Sequence, residues 1–193
     1  MTVVANGVDF SGARPSVDTL KKNGKSFVIR YLAPSNPDTA WKLLTKAEVQ
    51  EYHSGGIHIV SNFEWYGNRA LEGHAAGVED AKVAAAQHLE VGGPANRPIY
   101  FSVDTETSGE SVSDYFTGVA GVIGHERTGV YGSYDVVKYL LDHKLVAWAW
   151  QTYAWSNGQY DQRCQLAQDK DGVTMDGNAV DLDTAHASDY GQW

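Results

Sequence analysis

Strand-like and helix-like stretches alternate five times along this chain, and nothing else in the sequence limits its fold so strongly. Residues 3–10, 26–32 (SFVIRYL), 57–63, 97–106 (RPIYFSVDTE) and 128–132 are short apolar runs dense in β-branched and aromatic residues. Runs of that kind suit strands covered on both faces. The stretches between them have helical spacing. Pro15-Ser16 opens a first helix, with Val17 and Leu20 on its apolar side and Gly24 as its stop. Thr45-Lys46-Ala47-Glu48 spells a capping box, whose reciprocal side-chain bonds satisfy free amides at a helix start. That helix runs to about residue 54, before Gly55-Gly56. Leu71, Ala75, Val78, Ala81, Ala85 and Leu89 recur every three or four residues and predict the longest helix and its buried face. Val112, Phe116, Val119 and Ile123 predict a fourth helix with Ser111 as its cap, and residues 135–143 a fifth. Residues 146–153 (VAWAWQTY) predict a sixth strand. Shorter strands follow at 163–168 and 179–182, with turns at 169–172 and 176–178 and little helix between.

This order argues for a parallel sheet with right-handed crossovers. Eight candidate strands in 193 residues favour closure over an open sheet. The expected fold class is α/β, a compact, irregular (β/α)8 TIM-like barrel forming one domain over residues 1–193. Such barrels more usually take ~250 residues, so the compression falls in the last quarter. Gly7-Val8-Asp9-Phe10-Ser11-Gly12 fits neither glycine-rich phosphate loop, which disfavours a nucleotide-binding open sheet.

Acidic residues fall at the ends of the apolar runs. Asp9 closes the first, Glu64 follows the third, Asp104 and Glu106 close the fourth, and Asp181 and Asp183 lie in the late VDLD. If the fourth strand persists to Glu106, Asp104 and Glu106 share one face, roughly 6.6 Å apart. The C-terminal ends of strands are where active sites of α/β folds collect. Any one of these acids could simply cap a helix or hold a loop. Together they would raise one another's pKa, so that one stays protonated while another is ionised. Glycoside hydrolysis needs such a pair. A divalent cation held by the same acids is the alternative chemistry. The seven histidines form neither HxH nor HExxH, which disfavours zinc, and the reading calls for no metal and no cofactor.

Aromatic residues crowd the same positions. Tyr31, Trp65, Tyr131, Tyr134, Tyr153 and Trp155 lie at or just past strand ends and are candidate sugar-binding residues, since rings fit the apolar faces of pyranoses. Gln151 joins them, because a buried amide needs partners. Trp148 and Trp150 read as core. A net charge of −9 with no basic block argues against nucleic acid and anionic membrane as partners. No apolar run approaches the ~18 residues of a membrane span, so no membrane insertion is expected. The lone Cys164 reads as a structural thiol. The N-terminus, MTVVANGVDF, lacks a basic region and an apolar core, so the chain is expected to be made in the cytoplasm without a signal peptide.

GVDFS, YFSVDTE, GVYGSY, WQTYAW and VDLD, in that order over nearly the whole chain, resemble the glycoside-hydrolase-like barrel domains of actinobacterial proteins and their phages, relatives of the family 25 lysozymes. That resemblance implies a (β/α) barrel that cleaves the β-1,4 bond between N-acetylmuramic acid and N-acetylglucosamine in peptidoglycan glycan strands, and a monomer is expected. It matches Asp9 to the first-strand Asp and Asp104 and Glu106 to the D-x-E, with Glu106 as general acid and Asp104 its charged neighbour. Asp181 matches the late Asp, with Asp183 as an alternative in the same motif. Glu64, in FEW, matches the glycoside-hydrolase-like group rather than the lysozymes. A phage endolysin of this kind would accumulate in its host and reach the wall after release by a separate membrane-lesion protein. The alternatives are a barrel that binds wall glycan without cleaving it and a hydrolase using a carboxylate-bound metal.

Overall fold

The computed structural model describes residues 2–12 and 14–193. Eight strands close into a barrel in sequence order, so each strand neighbours the next and the last meets the first. The first six run parallel to one another: β1 (Ala5–Asp9), β2 (Phe27–Leu32), β3 (His58–Phe63), β4 (Ile99–Ser102), β5 (Thr128–Gly132) and β6 (Trp148–Thr152). They are linked by α1 (Val17–Lys22), α2 (Lys46–Ser54), α3 (His74–Glu90), α4 (Gly109–Ile123) and α5 (Tyr134–Asp142). β7 (Leu166–Met175) is parallel to β6, and β8 (Asn178–Ala185) is antiparallel to both β7 and β1. The alternation predicts a parallel sheet, and β8 departs from that expectation. A short turn can join only antiparallel strands, and the chain has no helix after β7. Asp176 and Gly177 make that turn at φ 51° and 73°, the left-handed pair a tight hairpin needs. The turn predicted at 169–172 lies instead inside β7, where register shifts between Gln168 and Val173 bulge the strand.

Side chains alternate between two cores, as the strand period of two requires. Phe27, Ile29, Val60, Tyr100, Tyr131, Trp150 and Leu166 fill the barrel interior. Val8, Val28, Ile59, Phe101 and Val130 face the helices. Ser16, Thr45, Ser108 and Ser133 cap α1, α2, α4 and α5 by accepting a backbone N–H. The cap of α4 is thus Ser108, which takes the N–H of the predicted cap Ser111. The capping box forms by half. Thr45 accepts the Glu48 N–H, but the Glu48 carboxylate turns inward to Arg30 and Arg14. Arg30 is fully buried in β2, and a buried guanidinium needs a carboxylate more than the helix needs a second cap bond.

Two predictions about elements give way to packing. The buried face of α3 is Ala76, Gly77, Asp80, Ala81, Ala84 and His88, while Leu89, and Leu71 ahead of the helix, are exposed. A Cβ on Gly77 would strike the carbonyl oxygen of Tyr115 in α4, and one on Gly118 would strike that of His74. The two helices meet backbone to backbone, so side-chain size rather than hydropathy selects the face. β4 ends at Ser102, not at Glu106. Past it the Val103 N–H still bonds Tyr131, but the Asp104 N–H turns to the carbonyl of Gly67 in the β3–α3 loop. The shared strand face expected for Asp104 and Glu106 does not form.

Candidate active site

At the C-terminal ends of the strands the barrel opens into a cleft of about 290 Å³. Its wall includes Tyr31, Glu64, Asp104, Tyr131, Thr152, Tyr153, Trp155, Gln168, Asp171 and Asp181. A larger hollow of about 520 Å³ lies on the outer wall between the β2–α2 loop and the end of α3. Its one carboxylate is Glu90, so it offers no acid–base pair.

Asp9 and Asp181 are register partners across β1 and β8, which places both side chains on one face at the floor of the mouth. Asp9 is 2% exposed and accepts hydrogen bonds from the Tyr31 hydroxyl at 2.9 Å and the Gln168 Nε2 at 3.0 Å. The same Nε2 donates to Asp181 at 3.1 Å. Gln168 Oε1 in turn accepts from the hydroxyls of Tyr131, at 2.9 Å, and Thr152, at 2.8 Å. Two hydroxyls that can donate and two carboxylates that accept fix the amide orientation. Burial, then the charge of Asp181, pushes the Asp9 carboxyl up to about 7, against the pull of its two hydrogen bonds. Burial also raises Asp181, opposed by the Gly172 N–H that donates to it at 2.8 Å. Asp183 lies one inward-facing step deeper, opposite Gly7, and is fully buried. One of its oxygens accepts from the Trp150 indole at 3.0 Å and the other has no partner among the described residues. Burial and then Asp9 hold its pKa well above the carboxylate range, and a protonated acid leaves no bare charge there.

Asp104 faces the cleft without a side-chain partner among the described residues. Partial desolvation in the mouth, followed by the charges of Glu64 and Asp181, raises its pKa, while Lys42 lowers it. Lys42 supplies the cation of this acidic site. Its ammonium lies 3.0 Å from Glu64 and 5.5 Å from the centre of the Tyr31 ring. Among the described residues no three His, Cys, Asp or Glu side chains are arranged to share a metal ion.

The structure thus gathers Asp9, Glu64, Asp104 and Asp181, with Tyr31, Tyr131, Tyr153 and Trp155 on the cleft wall. It does not gather the rest. Glu106 is exposed, lies outside the cleft wall, and has no hydrogen-bond or ion-pair partner among the described residues. The acidic company expected of a proton donor is not found there, because the chain leaves β4 two residues before Asp104. Trp65 packs against the Arg69 guanidinium, 4.7 Å from its ring centre, rather than in the cleft. Tyr134 begins α5 and is tied through its N–H to Ser156 Oγ. Gln151 is 1% exposed and spends its amide on the 159–161 loop, donating to the Gln159 carbonyl and accepting from the Asp161 N–H. Cys164 is buried and its thiol pushed up to about 12, as a structural thiol should be. Sequence reasoning missed Gln168 and Lys42. Gln168 sits two residues after the inward-facing Leu166, so strand parity could have found it; Lys42 lies in a loop with no periodicity.

A closed barrel with acids gathered at the C-terminal mouth defines a glycoside-hydrolase-like barrel. The chain belongs to the Rv2525c-like, glycoside hydrolase-like domain family, whose model matches residues 18–185. The Mycobacterium tuberculosis protein named "Putative peptidoglycan hydrolase Rv2525c" is 29% identical over 199 aligned residues, which cover 96% of this chain and 82% of that protein. The crystal structure of Rv2525c, described as a Tat-secreted protein in complex with L-tartrate, matches with a TM-score of 0.92 at 26% identity, over 98% of this chain and 99% of that one. The modular autolysin LytC from Streptococcus pneumoniae shares the fold (TM-score 0.65, 14% identity, 94% of this chain and 46% of that one). So does the catalytic domain of endolysin ply40 from bacteriophage P40 of Listeria monocytogenes (TM-score 0.60, 13% identity, 96% and 94%). The expectation of a protein made without a signal peptide and released by another agent is corrected by this comparison, since Rv2525c is exported through the Tat route.

Proposed function

We propose that this chain is a peptidoglycan glycoside hydrolase of lysozyme type, acting as a monomer on the β-1,4 bond between N-acetylmuramic acid and N-acetylglucosamine. The observation that carries the reading is Asp104, a carboxyl with raised pKa that faces the cleft beside Glu64 and Asp181 and is spent on no side-chain hydrogen bond among the described residues. Kinship with Rv2525c supports bacterial wall as the substrate and an actinobacterial wall as the first to test, for a bacterial or a phage-encoded enzyme alike. Action outside the cytoplasmic membrane fits the export of that relative.

Asp104 gives its proton to the glycosidic oxygen as the bond to the anomeric carbon breaks. The acetamido carbonyl oxygen of the same sugar closes on that carbon. Asp181, positioned by Gln168 and the Gly172 N–H, faces the positive charge that develops. A water then opens the ring intermediate, its hydroxyl joining the anomeric carbon and its proton returning to Asp104. Lys42 holds the Glu64 carboxylate oriented in the cleft wall.

Mass spectrometry of wall fragments after digestion tests this. The wild-type protein should release muropeptides ending in reducing N-acetylmuramic acid. Asp104→Asn should lower the rate by about 10²-fold or more, and Glu106→Gln should digest walls at close to the wild-type rate. A protein that binds walls and releases no fragments would be a binding module, and the hydrolase reading would fall.

A further inference from the structure

Four aromatic side chains are exposed among the described residues: Trp41, Tyr66, Tyr153 and Trp155. All four sit on loops that leave the C-terminal ends of strands. Trp41 follows β2, Tyr66 follows β3, and Tyr153 and Trp155 follow β6. The exposed large hydrophobics elsewhere on the barrel are aliphatic. In a ring of eight strands β2 and β6 stand four places apart, so Trp41 and Trp155 lie on opposite sides of the mouth. The acids of the cleft lie between them.

Trp41 is the less expected of the two. It is 57% exposed, yet its indole N–H donates to the Asp38 carbonyl at 2.7 Å. The ring is therefore held in one orientation with most of its surface free. It borders the loop after β1, where a Cβ on Gly12 would come 3.9 Å from it. The next residue, Lys42, is buried with its ammonium on Glu64 of the cleft wall, so the loop that carries the ring is tied to the cleft. Across the mouth, Trp155 is held at φ 55°, a left-handed conformation that costs a bulky residue free energy. Ordered aromatic surface left in water gains nothing for the fold. Contacts through ring faces also need no positive charge, which suits an acidic domain and an uncharged sugar polymer.

We propose that Trp41 is a distal stacking platform, so that a β-1,4-linked N-acetylated glycan lies across the mouth from Trp155 and Tyr153, over the acids, to Trp41. This rests on the glycosidase reading of the cleft and adds that the site recognises an extended strand rather than a disaccharide. Calorimetric titration with chitin oligomers, from disaccharide to hexasaccharide, tests it in the Asp104→Asn background, where no turnover competes with binding. Affinity should rise with length. Adding Trp41→Ala should lower hexasaccharide affinity about tenfold, with the loss confined to the longer oligomers, and Trp41→Phe should recover most of it. An unchanged melting temperature separates lost contact from lost fold. Equal hexasaccharide affinity with and without Trp41, or a loss that extends to the disaccharide, overturns the distal platform and leaves the cleft reading intact. A parent protein that binds no oligomer of any length overturns the glycan reading itself and the platform with it.

Discussion

Asp9 shows what a buried acid does to a fold. Its carboxyl titrates near 7 in the folded chain and near its ordinary 3.8 when unfolded. Between those values the native state binds the extra proton. Its favourable contribution is therefore complete below about pH 4 and is lost as pH rises through 7. Asp9→Asn should remove that slope. At pH 8 the variant should be more stable than wild type by on the order of 2–4 kcal/mol, and the two should converge near pH 4. Melting curves from pH 4 to 8 check this; parallel curves would count against a raised Asp9. The same variant should hydrolyse walls more slowly, because the carboxylate sharing Gln168 with Asp181 is gone. Stability surrendered for function is what an active-site acid should display. These acids were legible in the sequence because each follows an apolar run. Their governor was not: nothing in QLAQDKDG marks Gln168 as the amide joining two carboxylates. Glu106 erred the other way, since its part depended on a strand continuing where the chain in fact turns to Gly67.

Among the elements, strands could be read from sequence more safely than helix faces. β2, β3 and β5 fall within a residue of expectation, because a buried strand needs a continuous apolar run and can show little else. α3 carries its one leucine, Leu89, outside because its contact with α4 is made by glycine and alanine. Hydropathy has no term for a missing side chain. Gly77→Ala or Gly118→Ala should push the helices apart and destabilise the protein by about 1–3 kcal/mol, read as a drop of several degrees in melting temperature. Gly121→Ala, also in α4 but with open space at its Cβ, is the control and should be neutral or slightly stabilising. A Gly77→Ala protein as stable as the control would mean that the helices do not touch there.

Across the whole molecule, one buried cation ties the helical shell to the cleft. Arg30 reaches outward from β2 to Glu48 on α2, to the Phe10 carbonyl just past Asp9, and to the carbonyl of Lys42. The last two contacts set the backbone on which Asp9 and Lys42 stand. The pair was hidden from sequence because Glu48 reads equally well as a capping-box residue or a solvated helix acid, and only closure of the barrel brings Arg30 beneath it. Removing one member should cost far more than removing both. Glu48→Ala strands a guanidinium in the core and should destabilise the protein by about 3–5 kcal/mol. Arg30→Met with Glu48→Leu should recover most of that, because well-packed apolar groups can replace a buried pair at little cost. Activity should part from stability in the double variant. With no donor left for the Phe10 and Lys42 carbonyls, Lys42 and Asp9 should lose their fixed positions, so wall hydrolysis stays low in a protein that again unfolds at a near-normal denaturant midpoint. Recovery of both together would show that Arg30 serves the fold alone. A double variant as unstable as Glu48→Ala would show that the guanidinium's backbone contacts, and not the ion pair, hold this corner of the barrel.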